Sequence, residues 1–267
     1  MDVLIAGGGI GGLTLGVALS RRGHTVRVLE RATTLAPAGA GLALQPNAMT
    51  VLATLGLADA VMADGCPVSR AAILDSHGSA LGPEMNMAAL SAPFGVPVLA
   101  IHRARLHGVL RAALGEPALM LGADVTEIEM SNADAAVHCR DGRVLRADLV
   151  VGADGLRSLA RHMVVGADDP IYSGYTSWRG VTTGGAAPHL TRMSESWGAG
   201  ELPAWSTSAT ARSTGSRWRM RRRAVLMVPR IPSCLRDLDA GMSRFVRCSR
   251  RHRQSASFVR ISAIDAP

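Results

Sequence analysis

The chain has 267 residues, 48% of them hydrophobic, which is enough to bury a sizeable core as one or two domains. It contains no uncharged apolar run of about 18 residues, so no membrane span is expected, and its Met-Asp-Val start lacks the basic region of a secretory leader. The net charge of +8 is unevenly placed: residues 1–200 carry 15 Arg and 17 acids, residues 201–267 carry 14 Arg and 4 acids, and Lys is absent throughout. The chain therefore changes character near Gly200.

Val3-Leu4-Ile5-Ala6 is a short apolar run suited to one buried parallel strand. It enters Gly7-Gly8-Gly9-Ile10-Gly11-Gly12, with G-x-G-x-x-G at Gly7, Gly9 and Gly12. Leu13 to Arg22 reads as a helix with Leu15, Ala18 and Leu19 on its inner side, and Gly23-His24 ends it. Thr25 to Leu29 is a second strand, and Glu30 follows 18 residues after Gly12. Each part has a physical task in holding a dinucleotide. Gly7 permits a tight turn, Gly9 lets a pyrophosphate approach the backbone, and Gly12 lets helix and strand pack closely. The N–H groups of Ile10, Gly11 and Gly12 open the helix at its positive end. Glu30 stands close to the position, about 20 residues on, where an acid binds a ribose hydroxyl. A carboxylate there, followed by Arg31, repels a 2′-phosphate, so FAD or NAD fits better than NADP.

Further on, Gly39 to Leu44 is a glycine-rich strand or loop, and Pro46-Asn47 starts a helix with Leu52 and Leu55 inward. Ala71 to Asp75 and Val96 to Ile101 read as strands, while residues 82–95 show no period and line a pocket or form a loop. Arg103 to Leu114 is a helix with Leu106, Leu110 and Leu114 on one face. Asp124 to Met130, Ala135 to Cys139 and Val144 to Val151 are strands, the last two joined at Asp141-Gly142. Leu156 to His162 is a short helix, and Pro170 to Thr183, with spaced aromatics, opens a second sheet. Cys66, Cys139, Cys234 and Cys248 lack metal spacing and read as free thiols of a reducing, cytoplasmic setting. No metal site is expected.

Residues 1–200 resemble the class A FAD-dependent monooxygenases, the aromatic hydroxylases related to p-hydroxybenzoate hydroxylase. The resemblance rests on the glycine segment with Leu29-Glu30-Arg31, on Gly41 to Gly56, on Ile101-His102-Arg103 with Leu106 and Leu110, and on Ala147 to Ser158, which contains Asp154-Gly155. Tyr172 to Gly180 is similar to the family's entry into its substrate domain. The resemblance implies an α/β fold: a Rossmann-like, GR2-type FAD-binding domain with a parallel sheet, and an incomplete mixed β-sheet substrate domain. The implied division is 1–165 for FAD, with part of the substrate sheet inserted at about 68–100, and 166–201 for the start of the substrate sheet.

It also implies roles. Glu30 holds the adenosine ribose, with Arg31 and Gly41 nearby. Arg103 reaches the ribityl–pyrophosphate region, and Asp154 and Gly155 organise FAD and the nicotinamide donor. FAD, NADH or NADPH, O₂ and a small aromatic substrate are the expected reactants. No catalytic side chain is nominated: His77, His102, His107, His138 and His162 are scattered and read as structural. An NAD-binding dehydrogenase or a non-redox dinucleotide module is the alternative; the Asp-Gly and Gly41–Gly56 segments argue against it.

The resemblance stops after Glu195 to Glu201, and the family's second motif, Gly-Asp-Ala followed by His and Pro, does not occur. Residues 202–267 are rich in Arg and Ser. Such a tail suits an acidic surface or nucleic acid. Its lack of any module pattern and its abrupt start favour a frame change in a GC-rich gene, so no nucleic-acid partner is expected and 202–267 is expected to be poorly packed.

Overall fold

The computed structural model describes residues 1–35, 39–131, 134–166, 169–171, 175–181, 191–198, 201–208, 212–220 and 260–265. The chain opens with β1 (Asp2–Ala6), α1 (Ile10–Ser20) and β2 (Thr25–Glu30). Next come β3 (Gly41–Leu44), α2 (Pro46–Thr54), α3 (Ala58–Asp64), β4 (Gly65–Pro67), β5 (Arg70–Asp75), β6 (Met85–Asn86) and α4 (Met87–Ser91). A turn of 3-10 helix (Ala92–Phe94) leads to β7 (Leu99–His102), α5 (Arg103–Leu114) and β8 (Leu119–Leu121). A meander follows, with β9 (Val125–Met130), β10 (Ala135–Cys139) and β11 (Val144–Ala147), and then β12 (Leu149–Gly152) and α6 (Leu159–Val165). The last strands are β13 (Tyr175–Val181), β14 (Arg192–Trp197), β15 (Glu201–Ser208), β16 (Arg212–Met220) and β17 (Arg260–Asp265).

Strands β12, β1, β2 and β8 lie side by side in that order, and every pair is parallel. Parallel strands bury both faces, which is why Val3, Leu4, Ile5 and Ala6 form an unbroken apolar run. Val3, Ile5, Val26 and Val28 face a core shared with Leu13 and Val17 of α1, Met49 and Leu52 of α2, Val61 of α3 and Leu106 and Leu110 of α5. Leu4 and Leu29 face the other way, toward Ile128, Val137, Cys139 and Ala147 of the meander. The parallel sheet is thus sandwiched between a helical layer and the antiparallel sheet β11-β10-β9. Strand β7 lies between β3 and β4 in a further antiparallel sheet that supports α5.

Two local readings need correction. Helix α1 starts at Ile10, and its buried face is Gly12, Leu13, Gly16 and Val17; Leu15, Ala18 and Leu19 only flank the core. The helix is apolar nearly all round, so periodicity selects no face, and glycine does. A Cβ on Gly16 would lie 3.0 Å from Val28 Cγ2 and 3.1 Å from Leu114 Cδ1, so only this side can approach the sheet. Residues 144–151 are not one strand. β11 pairs antiparallel with β10 and β12 pairs parallel with β1, and the chain changes sheets at Asp148. Asp148 N–H donates to Asp2 O at 3.0 Å, and its carboxylate accepts the Asp2 N–H at 2.7 Å.

A seven-stranded sheet, counted over the described residues, has the order β17-β13-β16-β15-β14-β5-β6. Strands β5 and β6, from the 68–100 stretch, join it through the parallel pair β5–β14. Three segments of the arginine-rich region pair as strands here, where a poorly packed tail is expected from the sequence; the rest of 202–267 lies outside the described residues.

Leu110 of α5 is completely buried in the core that α5 shares with α1. Leu110→Ala should lower stability by about 2–5 kcal/mol in denaturant unfolding. Val51→Ala, on the outer face of α2, should change it by no more than about 0.5 kcal/mol. Equal effects of the two would show that this core is misassigned.

Candidate dinucleotide site

The C-terminal ends of β12, β1 and β2 meet at one place, where open parallel sheets bind ligands. Gly7 N–H donates to Leu29 O at 2.8 Å, and Ala153 N–H donates to Ala6 O at 2.7 Å, so the turns after β1 and β12 leave the sheet together. Gly7 has φ of +112°, and a Cβ there would stand 2.2 Å from Ala153 O. A Cβ on Gly12 would stand 1.9 Å from Gly7 O. At Gly9 and Gly11 a Cβ would meet nothing within 4 Å. The glycines thus divide into two kinds: Gly7 and Gly12 let backbone cross backbone, while Gly9 and Gly11 line open space.

Gly9 is the N-cap of α1 in an extended conformation, with no side-chain cap and no acid in the first turn. The N–H groups of Ile10, Gly11 and Gly12 therefore form a helix start whose positive end no side chain of the first turn neutralises.

Glu30 at the end of β2 is half-buried, and both its oxygens are engaged: Oε2 accepts the Gly8 N–H at 3.0 Å and Oε1 accepts the Ala32 N–H at 2.9 Å. Each carboxylate oxygen has a second lone pair, so the group can still accept hydroxyl donors. Arg31 follows as an exposed side chain.

Gly41 begins β3 and pairs with His102, the last residue of β7. Arg103 then opens α5 with an exposed side chain; its N–H donates to Ala40 O at 2.9 Å, and its stem fills the space beside Gly39. One turn later His107 Nε2–H donates to Gly8 O at 2.8 Å, which brings this face of α5 to the glycine turn. His107 was not singled out from sequence as part of the site; the one available signal was its i+4 spacing from Arg103. His102 is an N-cap whose Nδ1 accepts the Ala104 N–H, and His138 faces Glu129, so these two are structural.

Asp154 Oδ2 accepts the Leu159 N–H at 2.7 Å and the Ala160 N–H at 3.3 Å, holding the start of α6. Its Oδ1 is buried and has no partner among the described residues. Gly155 follows, exposed, with φ of +80°. The open Gly9–Gly11 edge and the unpaired Asp154 acceptor fit a bound group with anionic phosphates and hydroxyl donors.

Other groups lie elsewhere. A cavity of about 280 Å³ between β4 and α4 is lined by Val68, Ser69, Ala88, Ser91 and Val96, so part of the 82–95 stretch forms a helix facing a cavity. Burial pushes the Cys139 thiol up, which makes it a packing residue and a poor nucleophile. Among the described residues no three His, Cys, Asp or Glu gather as a metal site, and no helix is long and apolar enough to cross a membrane.

The family model of the FAD binding domain matches residues 1–232. Over 200 residues the chain is 46% identical to an aurachin C monooxygenase/isomerase of Stigmatella aurantiaca, covering 75% of this chain and 52% of that protein. It is 36% identical over 208 residues to 3-hydroxybenzoate 6-hydroxylase 1 of Aquipseudomonas alcaligenes, with the same shares. The crystal structure of Klebsiella pneumoniae HpxO complexed with FAD and uric acid shares the fold, with a TM-score of 0.85 at 23% identity over 100% of this chain and 68% of that one. The chain spans about half the length of the curated relatives it matches. A glycine turn, an acid closing β2 and an Asp-Gly turn, set together at one sheet edge, agree with these matches: the chain belongs to the FAD binding domain family of the class A FAD-dependent aromatic monooxygenases.

Proposed function

We propose that this chain is the FAD-holding part of a cytoplasmic monooxygenase that uses NADH or NADPH and O₂ to oxygenate a small aromatic substrate. The carrying observation is the sheet-edge cradle, in which an open glycine turn, Glu30 and the backbone of the Ala153-Asp154 turn stand together. The relatives' names support the reaction class: a 3-hydroxybenzoate 6-hydroxylase and a 3-amino-4-hydroxybenzoate 2-monooxygenase are among them. Free thiols at Cys66 and Cys139 suit a reducing compartment.

The geometry supports a role for each of these residues. The backbone of Gly9 and the first-turn N–H groups of Ile10, Gly11 and Gly12 receive the pyrophosphate. Glu30 accepts from the adenosine ribose, and exposed Arg31 lies at that end. Gly41 and Arg103 sit at the α5 side, where the guanidinium offsets phosphate charge. Asp154 accepts a hydroxyl with Oδ1 while Oδ2 fixes α6, and the positive φ of Gly155 turns the chain past the cofactor. When bound, FAD supplies the redox and oxygen chemistry. The protein's share is to hold that cofactor and to keep water from its reacting end. Residues 1–165 supply the adenosine and pyrophosphate half of the cradle, with 166–201 starting the substrate sheet. The Gly-Asp-Ala motif does not occur in these 267 residues, so they supply no counterpart of it at the flavin end.

Gly9 and Gly12 should separate binding from folding. Gly9 has φ of −73°, which valine tolerates, and open space around it. Gly9→Val should lower ligand-free stability by no more than about 1 kcal/mol, the loss of a favourable N-cap residue, and abolish FAD binding. Gly12→Ala should destabilise the ligand-free protein, because its methyl would displace the Gly7 carbonyl. Calorimetry and flavin titration check both; FAD binding by Gly9→Val at parental affinity would move the site elsewhere.

The 267-residue chain should oxidise NADH or NADPH in the presence of FAD and release H₂O₂, with little hydroxylated aromatic product. Peroxide and product are counted against reduced nicotinamide consumed. One hydroxylated ring per nicotinamide would show that the flavin end is fully enclosed and defeat this part of the reading.

A further inference from the structure

The two peptide units that flank the Gly8 Cα are each held by a side chain distant in sequence. Its N–H donates to Glu30 Oε2 at 3.0 Å, and its carbonyl accepts from His107 Nε2 at 2.8 Å. A carbonyl oxygen only accepts, so Nε2 carries the proton and the imidazole tautomer is set. The Gly8 C=O and the Gly9 N–H belong to one planar trans peptide and point in opposite directions. Fixing the carbonyl toward α5 therefore turns the Gly9 N–H away from α5. The same argument applies one residue earlier: Glu30 fixes the Gly8 N–H, and the Gly7 carbonyl points away from it, against Gly12. Glycine has no side chain to hold its peptide planes, so a glycine run samples many orientations unless something outside it intervenes. Glu30 supplies one restraint and His107 the other.

We propose that His107 is a positioning residue for the cofactor's pyrophosphate, acting through the Gly8 carbonyl to present the Gly9 N–H in its binding orientation. The proposal rests on the FAD reading above. It assigns a task to a histidine whose helix already has a complete apolar face: Leu106 and Leu110 pack α5 on α1, while His107 makes the polar contact between α5 and the glycine turn. The ordering cost of the turn is then met during folding instead of during binding.

The test compares the full 267-residue chain with His107→Gln and His107→Leu. Glutamine places an N–H donor the same number of bonds from Cβ as His Nε2; leucine removes it. For the ligand-free proteins, Gly8 amide hydrogen exchange should quicken in His107→Leu and return toward the parent in His107→Gln. ADP and FAD should each bind His107→Leu about three- to tenfold more weakly, the worth of one neutral hydrogen bond, with His107→Gln near the parent. A simple brace between helices would lower thermal stability in both variants and give no rescue by glutamine; that result overturns the proposal. Parental ADP and FAD affinity in His107→Leu also overturns it, and leaves the FAD reading intact. Histidine-dependent ADP binding with FAD no tighter than ADP sinks the FAD reading alone. Failure of the parent to bind either ligand sinks both. Should His107→Leu not fold, His107→Asn, one bond too short, takes its place.

Discussion

A methyl group at residue 12 would stand 1.9 Å from the Gly7 carbonyl oxygen, and one at residue 7 would stand 2.2 Å from the Ala153 carbonyl oxygen. Three stretches of backbone cross there with no side chain between them: the turn after β1, the first turn of α1 and the turn after β12. Close crossing lets α1 begin directly at the sheet edge and aim its N-terminus along that edge. It also places Asp154 beside the same turn, although 147 residues separate it from Gly7. The helix direction, the meeting of the two turns and the open ground at Gly9 and Gly11 all depend on the absence of two methyl groups.

Around that crossing, polar contacts fix orientation more than they add stability. Glu30 accepts two backbone N–H groups, each bond worth about 1.5–3 kcal/mol when the acceptor is charged. Those bonds hold the carboxylate before any ligand arrives, so little side-chain freedom remains to be lost on binding. Asp154 is fixed in the same manner through one oxygen, which leaves the other desolvated without a partner. A buried acceptor left unpaired costs about 1–3 kcal/mol, and a ligand hydroxyl that reached it would recover that cost. The apolar layers beneath supply the stability: Val3 and Ile5 on the helical side, Leu4 and Leu29 on the meander side.

Much of this was legible in the sequence because glycine and apolar period are strong local signals. The strand–glycine–helix–strand–acid order is present as read, and α5 spans Arg103–Leu114 with Leu106 and Leu110 inward. The buried face of α1 was not legible, since nearly every residue in it is apolar and tight approach at Gly12 and Gly16 decides. The run from Val144 to Val151 looked continuous because a change of sheet leaves no mark on hydropathy; it is made by hydrogen bonds between Asp148 and Asp2. His107 reads as structural in the sequence because its partner is a carbonyl 99 residues away, and no spacing rule reports a contact with backbone. The strands after Gly200 showed no alternation to read, and their pairing appears only in the sheet.

The central claim is that Glu30, already held by the glycine turn, receives the adenosine ribose of FAD. Calorimetric titration of FAD and of riboflavin 5′-phosphate into the parent chain and Glu30→Ala tests it most directly. FAD should lose about 1.5–3 kcal/mol of binding free energy, and riboflavin 5′-phosphate, which lacks the adenosine, should lose little. Equal FAD affinity in the two proteins would contradict it.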